Sequence, residues 1–283
     1  MQDIRIAVVT MNSRVHDTTG NIEKVAVWVK EASMQQARLI CFPELNLTGY
    51  HSGETIIDAA QTVPGPASDA IRELANKFNI TILAGLAEID DDKRLYASHL
   101  AVRPDVVAHE TTVSGGAIGI YRKTHLGPPE RDLFTPHDVA PVFTGPGIHY
   151  GIQLCYDAHF PELSTSMALA GADAIFIPHA SPHGSPDQKM DSWMRHLPAR
   201  AFDNGLFIIA CNPCGDNGLG LSFPGVAVVI GPSGNIIASY TGTEEHILIA
   251  DLTDAELASV RNHPMRYFLP HRRSDLIEKI RSY

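Results

Sequence analysis

Residues 147–162 read Gly147-Ile-His-Tyr-Gly-Ile-Gln-Leu-Cys-Tyr-Asp-Ala-His-Phe-Pro-Glu162. An apolar run ends on Cys155, a short polar turn follows, and Pro161 stands where a helix begins. Proline at a first helical position is preorganised for helix, so the stretch reads as strand, turn, helix. Open α/β sheets place their sites at the carboxyl ends of such strands. The turn also resembles the elbow that exposes a nucleophile, with the next backbone N–H free to donate. A helix N-terminus nearby favours a thiolate, which predicts a lowered thiol pKa. The other reading of Cys155 is a small buried hydrophobe, because free cysteine is among the most buried residue types.

Working outward, short β-rich runs alternate with helical patterns. Strands are expected at residues 4–10, 38–42, 80–88, 96–103, 106–110, 119–123, 148–155, 174–178, 206–211, 225–230, 236–240 and 246–251. Helices are expected at 21–36, 67–78 behind Pro66, 162–170 and 189–203, with Pro198 a kink or break in the last. Alternating and continuous apolar strands together indicate packed sheets covered by helices, an α/β arrangement. No linker or composition shift interrupts the 283 residues, so a single domain is expected, with residues 253–283 an extension over the body or a partner subunit.

A formal net charge of −10 and the lack of any basic run argue against nucleic-acid or anionic-membrane partners. Four cysteines in a chain this long do not make a disulfide scaffold, which suits a reducing, cytoplasmic compartment. The first apolar segment is a strand too short for a membrane span.

A cysteine nucleophile needs a base, and acyl transfer needs an oxyanion partner. No histidine has a spacing that nominates it as the base. Two further strands end on ionisable groups: RLICFPEL delivers Glu44 and GIYRKTHL delivers Lys123. Each alone reads equally as a solvated strand-end residue; the recurrence of the pattern at three strand ends points to a site. CFPELNLTGY, YRKTHLGPPERDLFTP and LCYDAHFPEL together resemble the nitrilase superfamily of carbon–nitrogen hydrolases.

That resemblance implies a four-layer α-β-β-α sandwich with two mixed sheets under outer helices. It implies Glu44 as general base and acid, Lys123 as stabiliser of the tetrahedral intermediate and Cys155 as nucleophile. Glu130, seven residues after the lysine, matches the family's frequent second glutamate. The members usually dimerise, so a homodimer or larger homo-oligomer is expected, and no metal or cofactor is called for. The reaction implied is hydrolysis of a small linear amide or N-carbamoyl compound through a thioester; a true nitrilase and a non-catalytic scaffold are the alternatives. Tyr156 would supply a backbone oxyanion donor, and Tyr50, His159, His179 and Ala180 would line the pocket. Phe160 and Trp193 are aromatic candidates for the same wall or for the core.

The chain departs from the family's pattern after the cysteine, where Ala158 and His159 replace an arginine common among members acting on carboxylate-bearing substrates. Arg195 or Arg200 could substitute, or could belong to a solvated helix face. Cys211-Asn-Pro-Cys214 is only half a zinc site and has no thioredoxin-like context. His179 and His183 are four apart, but Pro178 and Pro182 rule out a helical ligand pair.

Overall fold

The computed structural model describes residues 1–105 and 118–276. The strand expected at 106–110, and the last residues of the expected extension, lie outside that range.

The first half runs β1 (Ile4–Thr10), α1 (Thr18–Met34), β2 (Leu39–Cys41), α2 (Pro66–Phe78), β3 (Thr81–Ile89), β4 (Leu95–Val102) and β5 (Ile118–Arg122). The second half runs β6 (Val142–Thr144), β7 (His149–Ile152), α3 (Pro161–Leu169), β8 (Ala174–Pro178), α4 (Pro186–Trp193), α5 (Leu197–Asn204) and β9 (Phe207–Asn212). A small hairpin of β10 (Gly215–Asp216) and β11 (Ser222–Phe223) precedes β12 (Gly225–Ile230), β13 (Ile236–Gly242), β14 (His246–Leu252) and α6 (Asp254–Arg261).

Two six-stranded sheets result, ordered β14-β1-β2-β3-β4-β5 and β13-β12-β9-β8-β7-β6. Each is mixed: β1, β2 and β3 are parallel in one, β7, β8 and β9 in the other, and the outer strands run antiparallel. This is the α-β-β-α sandwich that the resemblance implies. Alternation along β1 shows the layering. Ile6 and Val8 join the core shared with the second sheet, while Ala7 and Val9 pack with Val25 and Val29 of α1 and Ile71 of α2. Both faces are therefore apolar, which is why the strand reads as a continuous hydrophobic run.

Two expectations need correcting, and α6 adds a helix that was not expected. The 189–203 segment is two helices; α4 starts at Pro186, where the Ser185 hydroxyl accepts from the Gln188 N–H, and α5 starts at Leu197. Pro198 therefore lies in the first turn of α5, where a missing N–H costs nothing, and does not kink a longer helix. The strand expected through Cys155 ends at Ile152, although the Gln153 N–H still donates to Phe176 O. The residues beyond β14 form α6, whose first turn is capped by the Thr253 hydroxyl.

Candidate active site

Four strands deliver the candidate residues to one place. Beyond β2 the chain turns through Pro43 to Glu44, whose N–H donates to His179 O at 3.1 Å and so ties the first sheet to the end of β8. Lys123 follows β5 directly, its N–H held by Ala97 O at 2.9 Å. Glu130 ends a single 3-10 turn, Pro128–Glu130, and its Oε2 accepts from the Gly127 N–H at 2.7 Å.

The Lys123 ammonium donates to Glu44 Oε1 at 2.8 Å and to Glu130 Oε1 at 2.9 Å. The Tyr50 hydroxyl adds a third contact, to Glu130 Oε1 at 3.1 Å. Glu44, Lys123 and Glu130 are all essentially buried, at 1%, 1% and 3% exposure. A lysine cannot stay buried and charged alone, and two carboxylates with one cation leave net negative charge. The second Glu44 oxygen, Oε2, is buried without a hydrogen-bond partner.

Cys155 opens a one-turn 3-10 helix, Cys155–His159, at a φ of 45°. That left-handed conformation is unusual for a residue with a Cβ and costs of order 1–3 kcal/mol, so it persists only where the surroundings impose it. Asp157 does much of the imposing. Its buried carboxylate accepts from the Leu154 N–H at 2.9 Å, the Tyr121 hydroxyl at 2.7 Å, the Thr124 hydroxyl at 2.8 Å and the His125 N–H at 2.8 Å. The turn that carries Cys155 is thereby fastened to the segment that follows Lys123. The sequence reading used Asp157 only as part of a motif; a carboxylate two residues past a strand-end cysteine was the available signal.

Electrostatics distinguish the groups. Burial pushes Glu44 up to about 7, against the pull of Lys123 and with the help of Glu130. Burial also works against the Lys123 ammonium, yet Glu44 and Glu130 outweigh it and hold its pKa well above the ordinary lysine value. The Cys155 thiol is pushed up to about 12, first by burial and then by the Glu44 charge, while Lys123 and the Ala180 amide pull it down. This corrects the expectation of a lowered thiol pKa. The turn is a single 3-10 turn with α3 starting only at Pro161, and burial beside two carboxylates overcomes any helix-terminus effect.

The structure brings Glu44, Lys123, Glu130, Tyr50, Cys155 and the His179-Ala180 segment together. His179 is buried, its ring 4.3 Å from that of Trp193, and its Nε2 has no partner. Tyr156 is half-buried and His159 exposed, and the His159 ring packs at 4.6 Å against His196. Phe160 stacks on His125 at 3.9 Å. The two arginines weighed as replacements do not enter the pocket as free anchors. Arg200 donates to Ala158 O and His159 O, bracing the turn, and Arg195 is exposed.

A cation clamped between two buried carboxylates thus lies beside a cysteine on a positive-φ turn, an arrangement suited to acyl transfer. The carbon–nitrogen hydrolase family model matches residues 5–262, and the chain belongs to that family. A nitrilase from Pyrococcus abyssi is 32% identical over 263 residues, 92% of each chain. An (R)-stereoselective amidase from a Pseudomonas species is 27% identical, over 90% of this chain and 88% of its own. Among solved structures, an amidase from Nesterenkonia sp. AN1 is similar with a TM-score of 0.79 at 26% identity, covering 98% of this chain and 96% of that one. That variant carries the acetamide moiety of fluoroacetamide added covalently at its active-site cysteine. Its cysteine-to-alanine variant in complex with butyramide matches with the same TM-score at 27% identity, covering 98% and 96%. Among the described residues no helix is long and apolar enough to cross a membrane.

Proposed function

We propose that this carbon–nitrogen hydrolase cleaves small linear amides or N-carbamoyl compounds through a thioester on Cys155. The observation that carries the reading is the Glu44–Lys123–Glu130 cluster next to Cys155. Glu44, near neutrality in its titration, takes the thiol proton as sulfur attacks the carbonyl carbon. The Lys123 ammonium spends two N–H bonds on Glu44 and Glu130, leaving a third for the developing oxyanion, which the Tyr156 backbone N–H also faces. Protonated Glu44 then passes its proton to the leaving nitrogen, and ammonia or an amine departs. It next deprotonates water, whose attack on the thioester releases the acid and restores the thiol. Glu130 and Tyr50 hold Lys123 in place, and His159, His179 and Ala180 line the substrate side.

The amidase branch is supported by the butyramide and fluoroacetamide chemistry named for the Nesterenkonia amidase. The nitrilase name of the Pyrococcus relative supports the second reading, a nitrile substrate. We also place the enzyme in the cytoplasm as a homodimer or larger assembly, a single hydrolase domain with residues 253–283 as its extension. The test is ammonia release across a panel of amides, carbamoyl compounds and nitriles. Cys155→Ala abolishes it with the fold intact, Glu44→Gln lowers it sharply because both proton transfers of acylation are lost, and acid-quenched wild type shows an acyl adduct on Cys155 by intact mass. Unchanged turnover in Cys155→Ala overturns the reading.

A further inference from the structure

The Tyr50 hydroxyl reaches Glu130 Oε1 at 3.1 Å, and the Tyr50 backbone is held by a residue from the other half of the chain. That residue is Asn217, in the loop between β10 and β11. Its Nδ2 donates to Tyr50 O at 2.8 Å. Its Oδ1 accepts from the Leu219 N–H at 2.9 Å and the Leu221 N–H at 3.1 Å. Its backbone N–H donates to Leu221 O at 2.9 Å, and its carbonyl accepts from the Val15 N–H at 3.1 Å. Asn217 is 1% exposed, although Asp216, Gly218, Leu219 and Gly220 around it are exposed. A buried amide is costly unless both its ends are bonded. Here the oxygen serves the loop itself, and the nitrogen crosses to Tyr50.

The hairpin is shaped to present that side chain. Gly218 and Gly220 each adopt a φ of 83° with open space where a Cβ would stand, so conformation and not room calls for glycine. Phe223 of β11, itself buried, packs its ring edge-on to that of Tyr50 at 6.3 Å between centroids. The same hairpin is tied to the segment beyond Ala180. The His183 N–H donates to Ser222 O at 3.3 Å, and Asn212 Nδ2 donates to both Ser181 O and Pro224 O, at 3.1 and 2.9 Å. It is therefore braced from the second sheet where it grips Tyr50.

We propose that Asn217 is a positioning residue of this enzyme: by holding the Tyr50 backbone it sets the Tyr50 hydroxyl against Glu130, and through Glu130 the Lys123 ammonium. The inference rests on the proposed role of Lys123 and deepens that reading. Glu130 Oε1 accepts from both Tyr50 and Lys123, so a slip of Tyr50 is felt at the very oxygen that holds the ammonium. An oxyanion donor stabilises the transition state only where it is held in place beforehand. A misplacement of about 1 Å caused from a distance can cost on the order of 10²-fold in rate. An Asn217 that served only its own loop would need Oδ1 and could dispense with the Nδ2 donor.

The test separates the two ends of this side chain. Asn217→Asp keeps an acceptor for Leu219 and Leu221 and removes the donor to Tyr50. It lowers kcat for amide hydrolysis by about tenfold, the size of one hydrogen bond, with KM little changed. A wild-type kcat in Asn217→Asp overturns the proposal. A double-mutant cycle with Tyr50→Phe identifies the route. Tyr50→Phe alone lowers kcat by about tenfold. Adding Asn217→Asp or Asn217→Ala to it costs no more than about twofold further, because the hydroxyl through which Asn217 acts is gone. Losses that multiply to about a hundredfold mark independent action and overturn the proposal, as does a Tyr50→Phe variant with wild-type kcat. Ammonia release from no amide at all would instead overturn the hydrolytic reading. The role of Asn217 is then decided without turnover, by the rate at which fluoroacetamide alkylates Cys155, followed by intact mass. Slowing in each single variant with no further slowing in the double supports the proposal, and additive or absent effects overturn it.

Discussion

Cys155 rests as a thiol. With its pKa pushed up to about 12, the thiolate fraction at neutral pH is negligible, so in the proposed mechanism attack and proton loss are coupled. In that mechanism Glu44, raised to about 7, receives the proton. The sign follows directly. Below pH 7 Glu44 is increasingly protonated and cannot accept a proton, and above it the base form dominates. The kcat/KM profile should fall about tenfold per pH unit below an apparent pKa near 7. It should stay flat into the alkaline range, because Lys123 is held charged well above its ordinary value. An initial-rate profile with its acid limb near 4.5 would show that Glu44 is not the base. Lys123→Met should lower kcat by about 10²–10³, as loss of one oxyanion donor does, and single-turnover kinetics would separate this from weaker binding. That these three residues are candidates was legible in the sequence, because each follows an apolar run and carries a motif of the family resemblance. The direction of the thiol's shift was not, since burial and the approach of Glu44 are tertiary facts.

At the scale of elements, the positive φ of Cys155 and the placement of Lys123 share one support, the Asp157 carboxylate. Removing it would strand the Leu154 and His125 N–H groups and the Tyr121 hydroxyl in a buried setting. Asp157→Ala should therefore cost on the order of 3–5 kcal/mol, the range for deleting one member of a buried charged network, read from urea unfolding. Asp157→Asn keeps the shape but presents donors where acceptors are needed. It should lose activity out of proportion to its smaller loss in stability, measured as kcat at saturating substrate. Element existence was legible wherever a run was long and periodic, as in β8 and β12, whose observed bounds equal those expected. It failed where context decides. The three-residue β6 borrows its partner from β7, and α6 takes its start from the Thr253 cap.

The whole molecule puts the site where the ends of two sheets meet. The Glu44 N–H bond to His179 O joins residues far apart in the chain, and no local pattern announces it. The sandwich was legible from alternation plus the family resemblance; the junction between its sheets was not. One apolar pair lies open on this body. Phe202 of α5 and Phe268 beyond α6 are each 44% exposed with rings 5.5 Å apart. Fully burying an aromatic side chain of this kind is worth about 1.5–3 kcal/mol, so covering these residues with a second copy is favourable. Light scattering should give at least a dimer. Phe202→Glu combined with Phe268→Glu should shift the mass toward the protomer while far-ultraviolet circular dichroism stays the same. Both positions are half exposed in the isolated chain, so the new charges disturb its own core little. A protomer mass for the wild type would overturn the dimer, and a dimer mass unchanged by both substitutions would place the subunit contact away from these two residues.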